Sequence, residues 1–144
     1  MRAPYQILAI PYRVVYDQPL FCVLHRADCD QWQFVAGGGE DAETPTEAAK
    51  REIFEEYGIS DAVPAQLTSM CYIPADVISA DRRASWPADT FVIPEYAFAF
   101  LTDRDPALSN EHDRFSWLPF SEAIRLLKWD SNRTALYELI HRLQ

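Results

Sequence analysis

Three glutamates are crowded into a short segment in the first half of the chain. Glu52, Glu55 and Glu56 are spaced i, i+3 and i+4, so a helix through them places all three on one face. Like charges at this spacing repel each other and destabilise a helix. A divalent cation would relieve the repulsion, and hard cations such as Mg²⁺ take oxygen ligands that they often share with substrate phosphates. The spacing therefore predicts a helix that holds a cation.

The residues around the glutamates predict where this helix begins and ends. Thr44 is a suitable N-cap, Pro45 fits the first helical position, and Glu47 completes a capping box. Gly58 predicts the C-terminal end. Beside the carboxylates, an apolar face is predicted to pack into the core, and it consists of Ala49, Ile53 and Tyr57, widened by Phe54.

A glycine-rich segment lies directly before this helix. Residues 31–35 read as a short strand that runs into Gly37, Gly38 and Gly39. Because glycine permits a tight turn and close approach of a ligand to the backbone, we expect a ligand-binding loop here.

Length and charge limit the classes of protein to be considered. The 144 residues suit one domain spanning residues 1–144 with a substantial core. The net charge of −9 argues against binding of a nucleic-acid polymer, which requires a basic surface. No apolar stretch is long enough to predict a membrane span. The odd number of cysteines (Cys22, Cys29 and Cys71), without close pairing, favours reduced thiols and a cytoplasmic location over a disulfide or zinc site.

The remaining patterns alternate between strand and helix. Strands are predicted at residues 6–16, 20–25, 31–35, 65–73, 91–101 and 114–118, with the first two forming a hairpin. Two further helices are predicted at residues 121–128, capped by Ser121, and at residues 131–143. Residues 74–89 form a long irregular segment, which is typical of a binding loop. This order predicts a mixed sheet with helices on both faces, an α/β/α sandwich.

The segment from Gly37 to Ile59 resembles the Nudix box, the signature of the Nudix hydrolase family. That box reads G-x5-E-x7-R-E-U-x-E-E-x-G-U, where U is a bulky aliphatic residue, and every fixed position matches. The matching residues are Gly37, Glu43, Arg51, Glu52, Ile53, Glu55, Glu56, Gly58 and Ile59. The Nudix fold is an α/β/α sandwich with a mixed sheet, so the resemblance and the strand and helix patterns agree.

The resemblance implies a Mg²⁺-dependent pyrophosphohydrolase, for which Mn²⁺ is expected to substitute. Such an enzyme cleaves a diphosphate linkage by attack of a metal-activated water. The implied metal ligands are Glu52, Glu55 and Glu56, the backbone carbonyl of Gly37, and Glu111 from the loop before the last strand. Glu56 and Glu111 both remain candidates for the general base. Arg51 is expected to pair with Glu43 or Glu55 and to orient the carboxylates.

Short motifs are similar to one branch of the family, which acts on dihydroneopterin triphosphate or dATP. They occupy residues 110–118 and 128–133, together with Trp32 and Gln33, although Asp41 and Ala42 depart from the glycine pattern of that branch. We therefore expect a small nucleotide-type substrate and a monomer or homodimer. Four arginines could contact its phosphates, although two of them, Arg82 and Arg83, could equally be solvated loop charges: Arg26, Arg82, Arg83 and Arg133.

Two interpretations of the whole chain remain open at this point. One is the metal-dependent hydrolase, and the other is a catalytically silent nucleotide-binding or sensor module of the same fold. Trp117 and Trp129 are expected in the core, whereas Tyr72 and Trp86 could either stack on a base or pack in the core. Three histidines show no ligand spacing and are expected at the surface or in structural positions: His25, His112 and His141.

Overall fold

Seven strands form one mixed sheet in a computed structural model that describes residues 1–144. The strands are β1 (Arg2–Val15), β2 (Gln18–Arg26), β3 (Trp32–Gln33), β4 (Val35–Glu40), β5 (Ala65–Pro74), β6 (Val92–Leu101) and β7 (His112–Leu118). The helices are α1 (Pro45–Tyr57), α2 (Phe120–Leu126) and α3 (Asp130–Arg142), and a short 3₁₀ turn covers Ala75–Val77. No helix combines the length and the apolar character that crossing a membrane requires.

The long first strand organises the sheet. Its N-terminal half pairs with β4 and its C-terminal half with β2, both antiparallel, which confirms the predicted hairpin. Its other edge pairs with β6 in parallel, from Gln6 opposite Glu95 to Tyr12 opposite Leu101. β5 lies beyond β6, while β3 and β7 pair with β2. β4 and β2 therefore lie one after the other along the same edge of β1, and the change of partner occurs close to the glycine-rich strand β4.

Alternate residues of β1 supply two separate hydrophobic layers. Ile7 and Ala9 belong to the core that packs on α1, whereas Leu8 and Ile10 belong to the core under α2 and α3. All four are almost completely buried, as expected for a central strand whose side chains point alternately to the two faces. Helices cover both faces, so the predicted α/β/α sandwich is confirmed.

The ends of α1 follow the local sequence. The Thr44 side chain accepts a hydrogen bond from the Glu47 amide at 3.2 Å, and the Glu47 carboxylate accepts one from the Thr44 amide at 2.9 Å. Gly58 ends the helix with φ of 86°, a left-handed conformation that favours glycine. The predicted caps are confirmed at both ends.

The apolar face of α1 is narrower than predicted. Ala49, Ile53 and Tyr57 are completely buried against the sheet, but Phe54 is 57% exposed. One residue is about 100° of helical rotation, which turns Phe54 away from the face that Ile53 buries. The prediction that Phe54 widens this face was wrong.

The three consecutive glycines lie in strand β4, so the predicted loop was wrong. Gly37 pairs with Ile7 and Gly38 with Gln6 in the ladder to β1. A side chain at Gly37 would overlap the carboxylate of Glu52, and one at Gly38 would overlap the guanidinium of Arg2. Glycine is therefore needed at these two positions because the side chains of Glu52 and Arg2 lie directly over the backbone of the strand.

The remaining boundaries differ from the predictions by a few residues. β1 begins at Arg2, and β7 begins at His112, immediately after Glu111. α2 has Pro119 at its N-cap without a side-chain hydrogen bond, so the prediction that Ser121 caps it was wrong. All three cysteines carry free thiols.

A carboxylate on α3 fixes that helix to the edge of the sheet. Glu138 accepts hydrogen bonds from the amides of Thr68 and Ser69, each at 2.7 Å, and from the guanidinium of Arg142 at 2.7 Å. Partial burial alone would raise the pKa of Glu138. The hydrogen bonds from Ser69, Thr68 and Arg142 outweigh burial and lower that pKa to about 2. Glu138 therefore contributes stability as an ionised group.

Candidate active site

The guanidinium of Arg51 joins three carboxylates to strand β4. It donates to both oxygens of Glu43, at 2.8 and 3.0 Å, and to Glu52 at 3.0 Å. It also contacts Glu55 at 3.3 Å and donates to the carbonyl of Gly38 at 2.7 Å. The hydrogen bond with Glu43 is the main cause of the raised pKa of Arg51. Both expected partners, Glu43 and Glu55, are present, and Glu52 is an additional one.

The three glutamates of α1 lie at different depths. Glu52 is 8% exposed and Glu56 only 1%, whereas the side chain of Glu55 is about half exposed. Burial is the main cause of the raised pKa values of Glu52 and Glu56, because a desolvated carboxyl group disfavours its charged form. A nearby cation would reverse this effect.

Three potential metal ligands converge near the C-terminal end of α1. Atoms of Glu56, Glu111 and His112 lie within 4.8 Å of one another. Nδ1 of His112 is 3.8 Å from a Glu56 oxygen, and burial lowers the pKa of this histidine to about 4, so it is neutral near pH 7. His112 is buried and not at the surface, and its only sequence signal was its position next to Glu111.

This cluster fits a divalent cation. Oε2 of Glu56 and Nδ1 of His112 are buried and have no hydrogen-bond partner. Buried polar atoms without partners are rare because they lose their interactions with water. Carboxylate oxygens and a neutral imidazole nitrogen are ligands of divalent metals, and bound cations would satisfy both atoms. The Glu52 carboxylate lies over Gly37 of β4, so its position also suits such a site.

A cleft of about 910 Å³ opens beside this cluster. Its volume suits a nucleotide-sized ligand. Gly37 of β4 and Glu111 contribute to the wall of the cleft near the carboxylate cluster, whereas Val77 and Ile78 line it from the long segment after β5. That segment was expected to be a binding loop, and its place in the cleft supports this role. Two further lining residues, Cys71 and Glu95, were not recognised from the sequence.

Only two of the four candidate arginines reach this cleft. Arg26 and Arg82 line it. Arg83 instead donates to the carbonyl of Ile78 at 2.9 Å. Arg133 donates to the carbonyl of Leu127 at 2.6 Å and is not among the cleft residues. The structure therefore does not bring Arg83 or Arg133 to the candidate substrate site.

The aromatic residues divide between the core and the cleft. Trp86 is buried and donates to the carbonyl of Arg2 at 2.7 Å, which fits a core position. Trp129 is 47% exposed and lines the cleft, so the prediction that it lies in the core was wrong. Tyr72 is also exposed and lines the cleft. Trp117 is partly buried against the core on the α1 side.

Two acids near the start of β7, Glu111 and Asp113, have different surroundings. Asp113 lies on β7 and pairs with the buried His25 at 2.9 Å, and His25 also contacts Asp30 at 2.8 Å. Glu111 lies in the preceding turn and lines the cleft. Asp113 is thus committed to a structural ion pair, while Glu111 faces the candidate site. His141 is exposed on α3.

Comparison with known proteins agrees with this geometry. The NUDIX domain family matches residues 12–140. This chain belongs to the Nudix hydrolase family. The family members that are similar to it are pyrophosphatases acting on nucleotide diphosphate linkages. The predicted family, fold class and enzyme class are therefore confirmed.

Individual relatives cover nearly the whole chain. The dihydroneopterin triphosphate diphosphatase of Escherichia coli (strain K12) is 33% identical over 133 residues, which are 88% of each chain. A structure from Listeria monocytogenes described as a NUDIX hydrolase superposes with a TM-score of 0.83 at 43% identity, covering 98% of this chain and 94% of that one. The Escherichia coli dihydroneopterin triphosphate pyrophosphohydrolase superposes with a TM-score of 0.77 at 26% identity, covering 98% and 97%.

Proposed function

We propose that the protein is a Mg²⁺-dependent pyrophosphohydrolase of a nucleoside triphosphate or a related diphosphate-linked compound. Dihydroneopterin triphosphate and dATP are the first candidate substrates, and the 33% identical relative supports the former. The observation that carries the proposal is the position of the buried Glu52 and Glu56 beside a nucleotide-sized cleft, with Gly37 and Glu111 lining that cleft.

The proposed metal ligands are Glu52, Glu55, Glu56 and Glu111, with the backbone carbonyl of Gly37. We expect Mn²⁺ to substitute for Mg²⁺, because both accept oxygen ligands. Bound divalent cations neutralise phosphate oxygens and lower the pKa of water. The acidic surroundings, which would otherwise repel a polyphosphate, then become compatible with substrate binding.

The side chains of this protein have three roles in the proposed reaction. Arg51 holds Glu52 and Glu55 in place through its ion pairs. Glu56 or Glu111 accepts the proton of the attacking water. Arg26 lines the cleft and is paired with Asp28 at 2.6 Å, and its guanidinium can also contact phosphate oxygens of the substrate.

Arg82 is proposed for the same role as Arg26, since it also lines the cleft. Arg83 and Arg133 have no proposed role in substrate binding, because neither lines the cleft. We further propose that residues 1–144 act as one domain on a small molecule in the cytoplasm, as a monomer or homodimer, without a nucleic-acid polymer or a membrane as partner. The net charge of −9 and the free thiols support this part of the proposal.

A product screen tests the proposed function. Candidate triphosphates are incubated with the protein and Mg²⁺, and released pyrophosphate and phosphate are measured separately. We expect pyrophosphate and a monophosphate product from at least one compound, and release at least about a hundredfold slower from the Glu56→Gln variant. Binding without any hydrolysis across the screen would instead support a catalytically silent nucleotide-binding module.

A further inference from the structure

A buried carboxyl group lies in the cleft on a strand that carries none of the proposed metal ligands. Glu95 of β6 is 7% exposed and lines both the main cleft and a smaller adjoining cavity of about 140 Å³. The thiol of Cys71 donates to it at 3.8 Å, which is a weak contact. Burial is the main cause of its raised pKa, and no positively charged residue contributes to that value. The protein therefore buries this acid without a cation to balance it.

The sheet fixes how far Glu95 lies from the proposed metal site. Gln6 of β1 is opposite Gly38 of β4 on one side and opposite Glu95 of β6 on the other. Since neighbouring strands are about 4.8 Å apart, the backbones at Gly38 and Glu95 are roughly 10 Å apart. Gly37, Glu111 and Glu95 all line the same cleft, so a substrate whose phosphates lie near Gly37 and Glu111 can extend its ring along the cleft to Glu95.

We propose that Glu95 selects the ring of the substrate, by accepting two hydrogen bonds from an edge that carries a ring N–H beside an amino group. Guanine and pterin rings both present such an edge. This inference rests on the proposed function, because it places a ring-bearing triphosphate in the cleft.

The chemistry of a carboxylate determines which edge it recognises. An ionised carboxylate has two oxygens that only accept hydrogen bonds, so it is matched by two adjacent donors. The two donors also offset the cost of burying its charge. Adenine places an acceptor nitrogen beside its amino group, so one carboxylate oxygen of Glu95 would face a lone pair. Glu95 thus favours the two-donor edge over adenine.

An aromatic side chain in the cleft can supply affinity that does not depend on the hydrogen-bonding edge of the substrate ring. Trp129 lines the same cleft and is half exposed at the start of α3. Every base or pterin ring has a flat face that can stack on an indole, so this contact is tolerant of ring identity. Trp129 therefore provides a matched comparison: its loss should weaken all substrates, whereas a change at Glu95 should discriminate between them.

The test compares KM and kcat for dGTP, dihydroneopterin triphosphate and dATP. Glu95→Gln is expected to raise KM for the first two about 10- to 100-fold, because each loses a hydrogen bond to a charged acceptor and meets an amide donor. KM for dATP should not rise and should fall, because an amide offers the donor and the acceptor that adenine matches. Trp129→Ala should raise KM for all three by about tenfold. Glu122→Gln, on the exposed side of α2, is the control and should change none of them.

Several outcomes would overturn the inference. One is an equal change in KM for all three compounds in Glu95→Gln, and another is an unchanged KM for dGTP in a folded variant. If Glu95→Gln does not fold, Glu95→Asp, which keeps both acceptors but withdraws them, must weaken dGTP binding more than dATP binding. Equilibrium dialysis of dGTP and dATP separates the two proposals. A dGTP preference that depends on Glu95, without hydrolysis, would refute only the proposed function, and hydrolysis with the same ring preference in Glu95→Gln would refute only the inference.

Discussion

Replacing Arg51 by lysine tests whether its guanidinium assembles the carboxylate cluster. The change keeps the positive charge but removes the planar group that contacts Glu43 through both oxygens while reaching Glu52 and the carbonyl of Gly38. A lysine ammonium carries its three donors on a single nitrogen atom, so it cannot reach Glu43, Glu52 and the carbonyl of Gly38 at the same time. We expect the protein to fold but to lose both stability and order at the cluster.

The contacts of Arg51 give the expected loss of unfolding free energy in Arg51→Lys. The guanidinium makes two hydrogen bonds to Glu43, one each to Glu52 and Gly38, and longer contacts to Glu55. A hydrogen bond to a charged group contributes about 1.5–3 kcal/mol net, and lysine should lose at least one and retain part of the others. The free energy of unfolding should therefore fall by about 2–4 kcal/mol.

Urea unfolding in a metal-free buffer at neutral pH measures this loss directly. The matched control is Arg104→Lys, because Arg104 forms an exposed ion pair with Asp61, and such pairs contribute little. The control should unfold like the wild type. A loss of less than about 0.5 kcal/mol in Arg51→Lys would refute the view that the guanidinium holds the cluster together.

Four further substitutions separate the roles of individual acids. Glu56→Gln should lower kcat at least about a hundredfold, as expected when a general base or a metal ligand is lost. It should also leave the metal-free protein about as stable as the wild type, because burial already favours the uncharged form of Glu56 and glutamine is uncharged as well. Glu111→Gln should lower kcat sharply with little change in melting temperature, whereas Asp113→Asn should mainly lower stability by weakening the pair with His25. Glu138→Gln should cost about 2 kcal/mol at pH 7; since the folded pKa of Glu138 is about 2, below its ordinary 4.5, this difference should shrink as the pH falls from 4.5 towards 2.

Each of these expectations can fail visibly. An unchanged kcat in Glu56→Gln would remove Glu56 from the site. A large loss of kcat in Asp113→Asn together with a small loss in Glu111→Gln would contradict the placement of Glu111, and not Asp113, at the candidate site. For Glu138→Gln, urea unfolding at pH 7 and pH 3 should show the larger loss at pH 7, and an equal loss at both values would show that the ionised form is not the stabilising one.

The sequence predicted best where local rules decide the structure. Thr44, Glu47 and Gly58 fix the ends of α1 through contacts within a few residues, so the helix could be placed without knowledge of the rest of the fold. The Ile, Val and Tyr content of residues 6–16 likewise predicted the first strand, because a strand buried on both faces reads as a continuous apolar run.

The sequence failed where distant residues decide the structure. The glycines of β4 look like a loop until Arg2 and Glu52 are seen to lie over them. The burial of His112 depends on β7 lying beside α1, and the different fates of Glu111 and Asp113 depend on His25 of β2. Glu95 carries no local motif, and only the pairing of β6 with β1 and β5 places it in the cleft.

The most direct test of the central claim is pyrophosphate release before and after removal of divalent cations. The claim is that carboxylates on α1 and before β7 hold the cations that make hydrolysis possible, with Glu56 among them. We predict that excess chelator abolishes pyrophosphate release from the best substrate of the screen, and that Mg²⁺ or Mn²⁺ restores it in the wild type but not in Glu56→Gln. Full hydrolysis in excess chelator would contradict the account.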